Sequence, residues 1–173
     1  MIDGSKLAKR IKAKLAEANR LLQDKKHEEA LPLFVEVNTI LSPPGVAPQI
    51  YQCLGALKRW EEMIPTLETM LSVPAIAENE KSATFRYLLG MFYLKYEGNP
   101  HKARHVWKDA LAFTPTFETR FPAIESFVSS YDAILKSSGD GFSPRVISVD
   151  LNTGEFVVSL HAPKDNSNTE VGR

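Results

Sequence analysis

Leu89-Gly90-Met91-Phe92-Tyr93, followed by Asn99-Pro100, Ala103, Trp107, Ala110 and Thr114-Pro115, sets small, aromatic and helix-ending residues at the spacings of two helices joined by a tight turn. Residues 79–96 and 100–113 read as those helices, separated by Glu97-Gly98-Asn99. Asn99 is a natural N-cap, and Pro100 falls at the first helical position, where a missing N–H costs nothing. Pro115 closes the pair, because proline cannot donate the bond that would continue the helix.

Working outward, the same periodicity governs the chain from its start to about residue 136. Leu7, Ile11, Leu15, Ala18 and Leu22 recur at three- and four-residue steps, which predicts an amphipathic helix over about 5–24. A second helix carries Ala30, Leu33, Phe34, Val37 and Leu41 on its apolar side and stops at Ser42-Pro43-Pro44-Gly45. Helices over 47–58 and 61–72 form a further pair, closed by Val73-Pro74. A last helix, about 117–136, aligns Ile124, Phe127, Val128, Tyr131 and Leu135 in one stripe. Seven helices with short connections predict a mainly α, hairpin-stacked architecture.

From Ser143 the period changes to two. Ile147, Val149 and Leu151 alternate with Ser148 and Asp150, and Phe156, Val158 and Leu160 alternate with Val157 and Ser159. Asn152-Thr153-Gly154 supplies a turn with a glycine able to adopt a left-handed conformation. A β-hairpin over 143–161 is expected, with those six apolar side chains as one contact face that docks on the helices or on another chain. Residues 162–173 are polar and expected to form a disordered tail.

Composition narrows the function classes. The 173 residues balance 21 Lys+Arg against 21 Asp+Glu and are 43% hydrophobic, which argues for one well-filled core and against a nucleic-acid binder relying on overall positive charge. Residues 1–26 nevertheless hold eight basic and three acidic side chains, so contact of this basic helix with an anionic membrane, or an organellar targeting role, stands as a secondary reading. No apolar run reaches the roughly 18 residues of a membrane span, and a cytoplasmic protein is expected. Lone Cys53 reads as a packed thiol. His101 and His105 have the spacing of a two-ligand metal face but lack an evident third ligand, so no metal is expected. Glu28-Glu29 and Glu61-Glu62 suit the first turn of a helix, where carboxylates oppose its dipole. No phosphate loop, dinucleotide fingerprint or nucleophile elbow occurs, and neither a cofactor nor an enzymatic activity is expected.

Glu28-Glu29-Ala30-Leu31-Pro32 is echoed 33 residues later by Glu61-Glu62-Met63-Ile64-Pro65, the signature of a stacked array. Together with Leu89-Gly90-x-x-Tyr93, Ala103-x-x-x-Trp107, Ala110 and Pro115, this resembles the tetratricopeptide repeat. The resemblance implies a helix-hairpin solenoid over 1–136, with repeats at about 12–43, 47–74 and 83–115, small residues at Ala18, Ala30, Gly55, Gly90 and Ala103, and a capping helix at 117–136. The second unit departs from the pattern: Met63 and Leu67 replace the small and aromatic residues, and about one helical turn is missing between Gly55 and Met63.

By the same resemblance, the first helices line a concave groove for a partner segment. Lys12, Leu15 and Asn19, then Gln49, Gln52, Ala56 and Arg59, then Thr84, Tyr87 and Met91 are its candidate residues. The carboxylate clamp of one subclass is expected to be absent, since Cys53, Thr84 and Leu88 stand where it needs amide and cationic side chains. The implied function is a non-enzymatic protein-binding adaptor or assembly factor. A small chaperone of a secretion system is the alternative within the family, and a structural subunit, or a homo-oligomer, that uses the hairpin is the other. Ala103→Leu should overpack its helix contact and cost about 1–3 kcal/mol; an unchanged thermal midpoint would place that contact elsewhere.

Overall fold

A computed structural model describes residues 4–42, 44–80, 82–113 and 121–160. Among them the chain is mainly helical, with α1 (Gly4–Gln23), α2 (His27–Asn38), α3 (Ala47–Ala56), α4 (Met63–Leu71), α5 (Pro74–Ala77), α6 (Ser82–Tyr96), α7 (Pro100–Phe113) and α8 (Pro122–Ser138). The strands β1 (Arg145–Val149) and β2 (Phe156–Ser159) form an antiparallel hairpin. Two differences from the sequence reading concern proline. Pro74, expected only to end a helix, also opens the single turn α5, because its missing N–H is harmless at a first position. The last helix begins at Pro122 rather than 117 and runs to Ser138. Residues 114–120, with Pro115, and the tail at 162–173 lie outside the described residues. The contacts divide the chain within α6 into two compact units, Met1–Phe92 and Tyr93–Arg173.

In the first unit α1 packs on α2, α2 on α3, and α3 on α4. Ala18 and Ala30 are fully buried, so small side chains stand on both partners of the first hairpin, and Phe34 fills the adjacent interior. Both hairpins turn by the same device. Lys25 and Lys58, 33 residues apart, adopt left-handed φ values of 58° and 57°. Lys26 N–H bonds Leu21 C=O and Lys25 N–H bonds Leu22 C=O, while Arg59 and Lys58 bond Leu54 and Gly55 in the same way. Each set satisfies carbonyls that the end of a helix would otherwise leave open.

The α3–α4 hairpin solves its packing differently from the small-on-small contact that the repeat pattern implies. Met63 is 1% exposed, and its Cε lies 3.9 Å from where a side-chain carbon on Gly55 would stand. A long side chain on α4 thus reaches into the space over Gly55. Tyr51 meets Phe85 edge-on at 5.3 Å, and Trp60 lies 6.4 Å from Phe92. The last carbonyl of α5, Ala77, accepts from Ser82 Oγ at 2.9 Å and from buried Arg86 at 3.3 Å.

In the second unit α7 packs on α8. Ile124, Phe127, Val128 and Tyr131 are buried, whereas Leu135, expected in the same stripe, is 37% exposed. Phe156 of β2 lies 5.1 Å from Trp107 and 5.5 Å from Phe127, and Phe142 meets Tyr131 at 4.8 Å. The hairpin therefore docks in cis on α7 and α8, with Lys95 Nζ donating to Val149 C=O at 3.2 Å.

One strand does not keep the expected alternation. Val146 pairs with Val158 and Ser148 with Val157, so Ile147 is the extra residue of a β-bulge. The bulge reverses the facing of everything before it. Val146, not Ile147, joins Val149, Phe156 and Val158 on the covered face, and Ile147 is 64% exposed. Leu151 falls in the turn and Leu160 just past β2, both half-buried. Gly154 takes the left-handed conformation at φ +75°, and Asp150 Oδ1 accepts from the N–H groups of Asn152 and Thr153.

Gly55→Ala should stabilise the protein by roughly 0.5–1 kcal/mol, because alanine is the better helix former and a methyl there meets only the flexible end of Met63. A higher thermal midpoint would show it; a lower one would mean that the hairpin needs bare backbone at this position.

Candidate functional site

Because α2 and α4 both pack against α3, an open space remains between them. It is a cleft of about 640 Å³. Its α2 wall carries Glu28, Leu31, Pro32, Val35, Asn38 and Thr39, its floor Ala47, Ile50 and Leu54, and its α4 wall Pro65, Thr66 and Thr69. Arg59 and Glu62, from the α3–α4 turn, complete it. Eleven steps of α2 from Glu28 to Thr39 span about 16 Å at 1.5 Å per residue.

The ends of the cleft differ in chemistry because the helices alternate in direction. At the α3–α4 turn stand Glu28, Arg59 and Glu62; Arg59 donates Nε and Nη2 to the Glu62 carboxylate, both at 2.6 Å. That bond, reinforced by the fields of Glu62 and Glu28, holds the guanidinium above its ordinary pKa. At the other end Asn38 Oδ1 accepts Val46 N–H at 3.0 Å, and Thr39 and Thr69 donate to the carbonyls of Glu36 and Pro65. Between the ends the lining is apolar. The shape suits a short segment of chain with a charged end, an apolar middle and a hydrogen-bonding end.

No protein-family model, curated protein or solved structure matches the chain. Its site is therefore read from its own residues.

Of the ten groove candidates, Arg59 alone lines this cleft. Lys12 and Asn19 on α1 and Gln52 on α3 are exposed, and Gln49, Thr84 and Tyr87 are half-buried. The Gln49 Oε1 atom is buried with no hydrogen-bond partner among the described residues. Burial raises the pKa of the Tyr87 phenol. Met91 is not a groove residue: at 1% exposure it belongs to the core. Cys53 is fully buried on α3, and burial pushes its thiol up, away from the nucleophilic form. Sequence reading missed the cleft because Leu31, Val35 and Ile50 looked like ordinary helix faces. The available signal was Pro32 and Pro65, the repeated prolines, which stand on facing walls.

The polar residues of α7 and α8 form a separate cluster in the second unit. Asp132 takes Arg104 Nε at 2.7 Å and Lys108 Nζ at 2.8 Å. Partial burial raises the Asp132 pKa, but the bonds from Lys108 and Arg104 outweigh it and the net shift is downward. Burial pushes the neighbouring Tyr131 phenol up to about 12, and its hydroxyl is bonded to His101 Nδ1. These groups tie α7 to α8. Among the described residues no group of three or more His, Cys, Asp or Glu is placed to hold a metal, and no helix is long and apolar enough to cross a membrane.

The folded pKa of Asp132 lies below its unfolded value, so its contribution to stability is present above the unfolded pKa and is lost as pH falls through the folded one. Acidification from about pH 5 to about pH 3 should therefore lower the unfolding midpoint. Asp132→Asn should lower the midpoint at neutral pH and flatten that dependence. An identical slope in wild type and variant would assign the acid sensitivity elsewhere.

Proposed function

We propose that the protein is a non-enzymatic adaptor or assembly factor of tetratricopeptide-like architecture that holds a segment of a partner protein. The observation carrying this reading is the cleft of about 640 Å³, with its apolar floor, one charged end and one uncharged hydrogen-bonding end. Apolar lining supplies affinity at roughly 25 cal/mol per Å² removed from water, and the polar ends supply orientation. Two features support the repeat architecture: successive packing of α1 to α4 and the left-handed turns at Lys25 and Lys58. The partner surface moves, in this proposal, from the first-helix groove to the side formed by α2 and α4. A secretion chaperone would use the same cleft for the same chemistry. The subunit reading draws on the hairpin, whose outer face shows Ile147 at 64% and Val157 at 51% exposure.

Affinity isolation with the intact chain separates the two surfaces. Val35 is 46% exposed on the cleft wall, so Val35→Arg should leave helical circular dichroism unchanged while reducing capture of the partner about tenfold or more, a loss of at least ~1.4 kcal/mol. Replacing Lys12, Asn19 and Gln52 together by alanine should leave capture intact. The reverse pattern would return the interface to the first helices.

A further inference from the structure

We infer that the cleft takes an extended partner segment of about five residues, with apolar side chains over Ile50 and Leu54 and a lysine or arginine directed at Glu28. This rests on the adaptor reading above and adds the chemistry of the ligand. The length follows from the wall: about 16 Å corresponds to five residues of extended chain at ~3.3 Å each.

The polar groups favour an extended over a helical occupant. Thr66 is 9% exposed, lines the cleft, and its hydroxyl has no hydrogen-bond partner among the described residues. Its neighbour Thr69 returns its hydroxyl to the Pro65 carbonyl at 2.8 Å. The difference leaves Thr66 with hydrogen-bonding capacity open to the cleft. Asn38 has its oxygen engaged by Val46 N–H, so its amide nitrogen is the donor that remains. An extended backbone offers free N–H and C=O groups to both; a helix has already satisfied its own.

Charge sets the direction. Arg59 is consumed by its two bonds to Glu62. Glu28 acts on Arg59 only through its field and makes no hydrogen bond or ion pair among the described residues. The pair cancels, and among the charged residues that line the cleft Glu28 is the one left over. A cationic side chain there gains, and a carboxylate meets like charge.

The test uses the full chain, isotope-labelled for amide chemical-shift mapping. The probes are an acetylated, amidated pentapeptide of lysine, valine, leucine, valine and serine, and its counterpart beginning with glutamate. The lysine peptide should shift the amides of Ile50, Leu54 and Thr66 and bind about tenfold more tightly than the glutamate peptide, an advantage that fades with salt. Glu28→Lys should invert the ranking. Thr66→Val should weaken both peptides severalfold at an unchanged thermal midpoint, with Thr66→Ser restoring binding. Equal binding of both peptides in the cleft would overturn the charge assignment and leave the adaptor function in place. No cleft shifts at millimolar peptide would overturn the extended-segment inference, while the function would still rest on the Val35→Arg capture result. A concentration-dependent dimer dispersed by the lysine peptide would make a second copy the occupant, and would also overturn the proposal.

Discussion

A ten-residue helix against which both α2 and α4 pack governs the first unit. Ala47, Ile50, Cys53 and Leu54 give α3 a single buried side, and both α2 and α4 must pack against it. Ile50 and Leu54 are 6% and 3% exposed, yet both also line the cleft. The same residues thus hold the hairpins together and provide an apolar floor. Binding surface and core are continuous, so the floor is held in place before any ligand arrives, which limits the ordering cost of association.

The shortened second hairpin is consistent with this arrangement. α4 has nine residues where α2 has twelve, and Met63 reaches over Gly55 instead of meeting it as a small residue. A flexible thioether fills irregular space that a rigid aromatic cannot. The prolines at 32 and 65 stand on opposite walls. Their rings give stiff apolar surface, and they lose little side-chain entropy when a ligand covers them.

The second unit relies on aromatic contacts. Trp107 and Tyr131 are fully buried, and Phe127 and Phe156 complete a chain of edge and tilted contacts at 5.1–5.7 Å. A two-stranded hairpin is marginal by itself; here it is secured by its Phe156 side chain and the preceding Phe142. Charge contributes at the margin, through Asp132 shared by Arg104 and Lys108. The bulge at Ile147 twists the strand and turns one large apolar side chain to solvent.

Helical periodicity, proline and glycine punctuation, and the change of period after Ser143 are local properties, and they determined the long helices, though not the single turn α5, together with the hairpin and the approximate boundaries. Ala18, Ala30, Phe34 and Tyr131 could be assigned to the interior from spacing alone, since each lies on an apolar stripe with a period of 3.6, whereas Trp107 was placed there only by the resemblance to the repeat. Three things were decided only in three dimensions. A β-bulge depends on the partner strand, so period-two counting placed Ile147 on the wrong face. Lysine has no preference for left-handed backbone, so the turns at Lys25 and Lys58 carry no compositional mark; tertiary packing holds them there. The cleft joins residues from three helices and a turn, and it exists because α2 and α4 stand apart across α3. That separation belongs to no segment of the sequence, only to the way the segments pack.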